Sequence, residues 1–218
     1  MIDIHSHILP NVDDGSDSLE TTRALLNLYV EQGVSRVVCT PHQNRDCIRT
    51  EDIKQVFAAL QSAVKDIPVE LCLGAEIYYY AEMLRDLENG KLLTLNGTRC
   101  VLVEFSVTEP TDIADIVYDL SIAGYTPIVA HIERYTYLTK DDYFLIKESG
   151  GLIQVNSGSI LFKGYLKILK FLFKNDLVDF VASDCHDLAY RSVDFVPVKN
   201  FIRKKYPNLF NKLFGEKI

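Results

Sequence analysis

No apolar run in the 218 residues approaches the ~20 needed to cross a bilayer. Met1 leads straight into Ile2-Asp3-Ile4-His5, without the basic-then-apolar start of a secretory leader. Stable membrane insertion is therefore not expected, and the chain reads as cytoplasmic. Blocks of like charge and low-complexity tracts are missing, which excludes a disordered or fibrous protein. No stretch rich in Pro, Gly or Ser divides the chain and no repeat is visible, so residues 1–218 read as one domain. Lys and Arg number 23 against 30 Asp and Glu, a net charge of −7, and no local basic patch stands out. That balance repels polyanions, so neither nucleic acid nor an acidic membrane is expected as a partner. The five cysteines, Cys39, Cys47, Cys72, Cys100 and Cys185, are odd in number and scattered, with no CxxC pair. They suit the reduced thiols of a cytosolic chain better than a disulfide framework or a thiolate metal site.

Short β-branched or apolar runs alternate with amphipathic stretches of helical length, the pattern of parallel strands joined by helices. Seven such runs occur, at 2–5, 36–40, 69–73, 100–104, 127–130, 152–156 and 177–182. Ser18 is placed to cap the first helix and Gly33 to close it, and the stretch from Asp112 to Ala123 ends in the same way at Gly124. The expected fold is α/β, a barrel of about seven parallel strands.

Such barrels carry their chemistry where strands end and the following loops begin. His5 and His7 follow the first run, His42 the second and Glu76 the third; Glu104 ends the fourth, His131 follows the fifth, and Asp184 and His186 follow the seventh. All five histidines of the chain fall in this set. Residues i and i+2 of an extended strand share a face, so His5 with His7, and Asp184 with His186, can converge. Asp14 of Val12-Asp13-Asp14-Gly15 adds a carboxylate, whereas Asp13 reads as a polar turn residue with Gly15 supplying positive φ.

Mixed imidazole and carboxylate donors favour Mn, Fe or Zn. Asp14, Glu76, Glu104 and Asp184 would put four negative charges in one pocket, and cations must offset their repulsion. Two dications only balance those charges, whereas three leave an excess that attracts a phosphate dianion. Nine donors also exceed what one ion can use. They point to two or three metal ions sharing at least one bridging carboxylate.

Met1-Ile2-Asp3-Ile4-His5-Ser6-His7, Asp13-Asp14-Gly15, Thr40-Pro41-His42, Gly74-Ala75-Glu76, the Glu104 strand, Ala130-His131-Ile132-Glu133-Arg134 and Ser183-Asp184-Cys185-His186 resemble, in order, the motifs of the polymerase and histidinol phosphatase (PHP) family. The similarity runs from Met1 to about Arg191. Within that family it is greatest to the manganese-dependent protein-tyrosine phosphatases of bacterial capsular and exopolysaccharide gene clusters. The resemblance implies a distorted (β/α)7 barrel, TIM-barrel-like, with a trinuclear site. It also implies a substrate, the phosphorylated tyrosine-rich tail of a bacterial tyrosine kinase that controls capsule or exopolysaccharide synthesis. By motif position Arg134 and Arg191 correspond to the family's two phosphate-contacting arginines, whose planar forks of donors suit that task. The chain after Arg191 is short for this family, and the oligomeric state stays open.

Hydroxide held by two metals is the nucleophile such a site implies. A phenol leaves more readily than an alkoxide, which lessens the need for a general acid; Asp184, His186 and metal-held water stand as alternatives for that role. A cysteine mechanism also has a foothold, because the Cys, five residues, Arg spacing occurs from Cys39 to Arg45 and from Cys185 to Arg191. That loop must cradle phosphate with successive N–H groups. The first match contains Pro41, neither contains Gly, and each encloses a candidate donor, His42 or His186. A small-molecule phosphomonoesterase, such as a histidinol-phosphate phosphatase, is the runner-up. The net charge disfavours a proofreading exonuclease, and the full donor set disfavours a non-catalytic docking protein. Tyr78-Tyr79-Tyr80 reads either as a stacking platform or as the start of a helix, and Glu133 and Asp187 read as residues that orient imidazoles.

Overall fold

The computed structural model describes residues 1–44 and 49–215, so Arg45 and Cys47 lie outside the described residues. Its strands are β1 (Ile2–Ser6), β2 (Arg36–Cys39), β3 (His42–Gln43), β4 (Glu70–Leu73), β5 (Glu76–Tyr78), β6 (Cys100–Glu104), β7 (Thr126–Val129), β8 (Leu152–Asn156) and β9 (Phe180–Ala182). All of their pairings are parallel, in the orders β1-β2-β4 and β3-β5-β6-β7-β8-β9. The second and third expected strands each come in two pieces. The chain bends at Thr40-Pro41 between β2 and β3, and at Gly74-Ala75 between β4 and β5. A Cβ on Gly74 would sit 2.7 Å from Leu95 Cδ2, so a larger residue at this bend would have to push Leu95 aside. Between β9 and β1 the ring is joined by a Ser6–Cys185 bridge, the Asp184 N–H to the His5 carbonyl (3.0 Å) and the His7 N–H to the Cys185 carbonyl (2.8 Å). The result is a distorted seven-membered (β/α) barrel.

Ile4, Val38, Cys72, Leu95, Leu102, Ile128, Ala130 and Ala182 form a buried apolar plug. Acidic residues stand just above it, Glu104 by alternation along β6 and Asp184 just past the end of β9. Two residues beyond Leu102 comes Glu104, and two beyond Ala182 comes Asp184. A larger apolar layer, including Leu25, Leu26 and Tyr29 of the helix Leu19–Glu31, lies between barrel and helices. That helix opens with Ser18 Oγ accepting the Thr21 N–H (3.1 Å) and closes before Gly33 at φ +76°. Ile113–Ile122 likewise starts at an Asp112 cap and stops before Gly124 at φ +85°.

Among the described residues no helix is long and apolar enough to cross a membrane. The expectation of no basic patch is corrected by the fold. Residues 157–175 and 195–214 hold nine of the chain's 23 Lys and Arg and none of its 30 Asp and Glu. The helices Leu166–Lys174 and Phe195–Lys205 from these segments are neighbours that line one groove, and the Phe173 ring lies 5.0 Å from that of Tyr206. The lysines are spread over 50 residues of sequence and gather only when the helices pack.

Candidate metal centre

All nine expected donors meet at the end of the barrel where the strands terminate. Between its pairings of Asp3 with Val37 and Ser6 with Cys39, β1 carries one extra residue, a bulge, and the chain leaves the strand at His7. His5 and His7 converge there, with their Nε2 atoms 3.1 Å apart. Each lies 3.2 Å from Glu76 Oε2, and they lie 3.4 and 3.5 Å from Asp184 Oδ1. Glu76 is the hub. Its Oε2 is also 3.1 Å from His42 Nδ1, and its Oε1 is 2.9 Å from His131 Nε2. Glu104 stands 3.5 Å from His131 Nε2 and 3.9 Å from His42 Nδ1. Across the mouth Asp14 Oδ1 is 3.4 Å from His42 Nε2 and 3.3 Å from His186 Nε2. Gly15 makes this possible: a Cβ there would fall 2.0 Å from the His7 carbonyl oxygen, so only glycine lets the Asp13-Asp14 turn lie against His7.

Three sets of donor atoms lie within 4.8 Å of one another: His5, His7 and Asp184; His42, Glu76 and Glu104; and His7, Asp14, His42 and His186. The ring nitrogens fit cations. His5 Nδ1 faces Gln154 Oε1 (3.1 Å), His7 Nδ1 faces Asp13 Oδ2 (2.8 Å), and His186 Nδ1 faces the Asp184 carbonyl (2.9 Å). With a cation bound, each acceptor would keep the ring proton on Nδ1 and leave the Nε2 lone pair for the cluster. His186 Nε2 is buried and makes no hydrogen bond, a cost that a cation would remove. His131 (φ +28°) and Asp184 (φ +54°) hold left-handed backbone that non-glycine residues rarely adopt, as is common at functional sites.

The charges are finely opposed. Burial alone lowers His7, but the contacts with Asp13 and Glu76 outweigh it and lift the imidazole to about 10. His5 is raised in the same way by Glu76 and Asp184, while burial lowers His131 and His42 and takes His186 down to about 4. Burial raises Glu76, yet the imidazoles of His5, His131 and His7 hold it well below the usual carboxylate range. Glu104, half-buried beside Glu76, is pushed up to about 7 by partial burial and by the neighbouring carboxylate. Arg191 Nη2 donates to both Asp184 oxygens at 2.7 Å, and Arg134 Nη1 lies 3.9 Å from Asp184 Oδ2. Both side chains are more than a third exposed, so they join the cluster to solvent.

Sequence reasoning missed the groups that hold the donors. Asp13 is more than a turn residue: besides the Gly15 N–H (3.0 Å) it binds His7 Nδ1 and the His42 N–H (3.1 Å). Gln154 also accepts the His131 N–H (2.8 Å), and Asn156 donates to Asp184 Oδ2 (2.7 Å). The signal was two polar residues at alternate positions of an otherwise apolar strand. Glu133 does not reach an imidazole; its Oε1 accepts the Asn156 N–H (3.1 Å), because the tight turn Ile132–Arg134 swings it toward β8. Asp187 also misses the imidazoles, and accepts the Ala189 and Tyr190 N–H groups (2.6 Å each) in the loop that brings back Arg191. The tyrosine triplet does not begin a helix, since the next one starts at Met83. Tyr78 ends β5 exposed, the Tyr79 ring packs 5.5 Å from Phe105, and the Tyr80 hydroxyl donates to Asp86 (2.9 Å).

Comparison with known proteins carries the resemblance past Arg191, where the sequence motifs ended, to nearly the whole chain. The family model described as capsular polysaccharide synthesis, CpsB/CapC, matches residues 1–216. The tyrosine-protein phosphatase YwqE of Bacillus subtilis (strain 168) is 34% identical, the alignment covering 100% of this chain and 87% of YwqE. The tyrosine-protein phosphatase CpsB of Streptococcus pneumoniae is 35% identical over 94% of this chain and 91% of CpsB. A crystal structure from work on YwqE from Bacillus subtilis and CpsB from Streptococcus pneumoniae, described as unique metal-dependent tyrosine phosphatases, superposes with a TM-score of 0.90. It is 29% identical and covers 100% of this chain and 96% of that one.

Proposed function

Because the chain belongs to the CpsB/CapC family of capsular polysaccharide synthesis, we propose that it is a metal-dependent tyrosine-protein phosphatase whose domain spans residues 1–218. The observation that carries this reading is the meeting of eight imidazole and carboxylate donors in three overlapping sets, one of them the orphaned His186 Nε2, with His131 joined to them through Glu76, beneath two arginines. His5, His7, Asp14, His42, Glu76, Glu104, His131, Asp184 and His186 would hold two or three divalent ions, Mn2+ by resemblance, with Fe or Zn suited to the same donors. Bound there, such ions supply acidified water and positive charge for phosphoryl transfer.

The remaining work falls to the chain itself. Glu76 presents its two oxygens to different imidazoles, which suits it to bridge. Arg134 and Arg191 offer guanidinium forks to phosphate oxygens and align the phosphorus over the cluster. In the ion-free chain neighbouring imidazoles outweigh burial and hold Asp184 well below the carboxylate range, and burial takes His186 down to about 4, so neither takes up an extra proton at pH 7. That matches a phenol, with a pKa near 10, better than an aliphatic alcohol. The substrate would be the phosphorylated tail of a bacterial tyrosine kinase, met in the cytoplasm. With Mn2+ present, a phosphotyrosyl peptide is expected to give at least about tenfold higher kcat/KM than the matching phosphoseryl peptide or histidinol phosphate. Equal or inverted preference assigns the site to small phosphomonoesters.

The cysteine mechanism fails on burial. Cys39 and Cys185 are both fully buried, which pushes their thiols far above neutrality, and the thiolate is the nucleophile. Arg45 of the first motif lies outside the described residues. The Cys39→Ala, Cys185→Ala double variant, assayed with Mn2+ on a phosphotyrosyl peptide, should keep kcat/KM within about threefold, since no thiol takes part. A loss of several orders of magnitude in the folded variant would reinstate the thiol.

A further inference from the structure

Lys167, Lys170 and Lys174 lie three and four residues apart and so form one stripe along the helix Leu166–Lys174, with Lys163 in the turn just before it. All four are exposed, and among the described residues none pairs with a carboxylate. Beside them three apolar side chains stand in water: Leu161 is 44%, Phe162 60% and Leu166 44% exposed. The opposite side of the helix is anchored by buried Leu169, Leu172 and Phe173. Between this helix and Phe195–Lys205 runs a groove of about 540 Å³, lined by Lys167, Lys170 and Lys205 as well as Leu166, Phe173 and Phe201.

We propose that this face docks the protein peripherally on an anionic lipid bilayer. Charge complementarity selects the occupant. Asp176 and Asp194 flank these segments and Asp176 pairs with Lys212, but the stripe of Lys163, Lys167, Lys170 and Lys174 has no carboxylate partner among the described residues in a chain that is otherwise strongly acidic, so a negatively charged surface is drawn to this side and repelled elsewhere. The charges on the stripe are all lysine, hydrated point charges on flexible stems, which suit a fluid layer of head groups more than the fixed carboxylates that arginine forks recognise. Protruding Phe and Leu beside lysines are what an interfacial surface sinks into the head-group boundary. An acidic peptide would neutralise the lysines yet leave Phe162 in water. A second copy related by two-fold symmetry would set the same cations against each other. Asn156, whose amide binds Asp184, immediately precedes the helix Ser157–Leu161, so the patch begins one short helix from the metal centre. Docking would therefore hold the catalytic rim close to the membrane plane.

Flotation of the full chain with vesicles tests this. It should float with vesicles of equal parts phosphatidylglycerol and phosphatidylcholine but not with phosphatidylcholine alone, and be released as salt rises from ~50 to ~300 mM. Reversing Lys163, Lys167 and Lys170 together to Glu should weaken partitioning at least about 100-fold, at roughly fivefold or more per charge. Phe162→Ser should weaken it several-fold with charge unchanged, and decides the matter if the triple variant fails to fold. Both variants should keep their turnover of a soluble phosphotyrosyl peptide. No flotation at low salt, or flotation untouched by both variants, overturns the proposal. So does binding to polyglutamate without binding to vesicles, which would assign the face to an acidic protein.

Discussion

Removing the divalent ions should lower kcat/KM for a phosphotyrosyl peptide by more than about 10³-fold, and added Mn2+ should restore it. Without cations, Arg134 and Arg191 are left to offset phosphate charge among the described residues at the mouth. The loss should carry a pH signature. His7 sits at about 10 in the ion-free protein, so it holds a proton at pH 7 that must leave before Nε2 can bind a cation. Mn2+ affinity should therefore climb with pH between about 6.5 and 10, roughly tenfold per unit for each proton displaced, and titration calorimetry in buffers of different ionisation heat reads those protons directly. The sign for stability follows from the same shift. A raised imidazole contributes stability that is complete below the unfolded value of 6.5 and fades as pH rises toward about 10, so ion-free protein should melt lower at pH 9 than at pH 6.5. Ion-loaded protein, stabilised by mass action, should melt higher at both. Asp13→Asn removes the partner of His7 Nδ1 and should weaken Mn2+ binding about 10- to 100-fold. A chelated enzyme that stays active, or an affinity that falls with rising pH, contradicts this account of the cluster.

Arg191→Ala should cost about 10² to 10³ in kcat/KM, some 2.7–4 kcal/mol, the scale for losing one preorganised donor to a developing oxyanion. Arg134→Ala should lower kcat/KM in the same direction, since its guanidinium stands at the same mouth. Arg191→Lys restores the charge but not the fork, and should recover only part of the loss. Metal content separates a phosphate role from a structural one. If the arginines act on substrate, the variants keep their ions and lose turnover. If Arg191 serves only to brace Asp184, ion content falls in step with activity, and excess Mn2+ rescues both.

Positions of the donors were legible in the chain because strands of a parallel barrel end on one side, and a residue at a strand end is at the rim whatever its neighbours do. His5, His42, Glu104 and His131 needed no more than that. Gly33 and Gly124 marked helix ends for an equally local reason, their positive φ. Other parts were out of reach because they depend on residues far apart in sequence. The convergence of His5 with His7 looked like simple alternation, but it arises at a bulge in β1, and Asp184 turns in through a positive φ that no pattern announces. Asp13 read as a turn residue because its tie to His7 exists only once Gly15 lies against the His7 backbone. Gln154 binds His5 from 149 residues away.

The sequence by itself determined the barrel's strand and helix order and the set of imidazoles and carboxylates at its rim, since both follow from periodicity and from where strands stop. Only the tertiary structure decided which nitrogen of each histidine faces inward, which carboxylate sits at the hub, and that lysines from two distant helices share one surface. Hydrogen-bond partners and electrostatic neighbours are set by closure of the ring and packing of the helices, and the strength of each such contact depends on distances that no run of residues encodes locally.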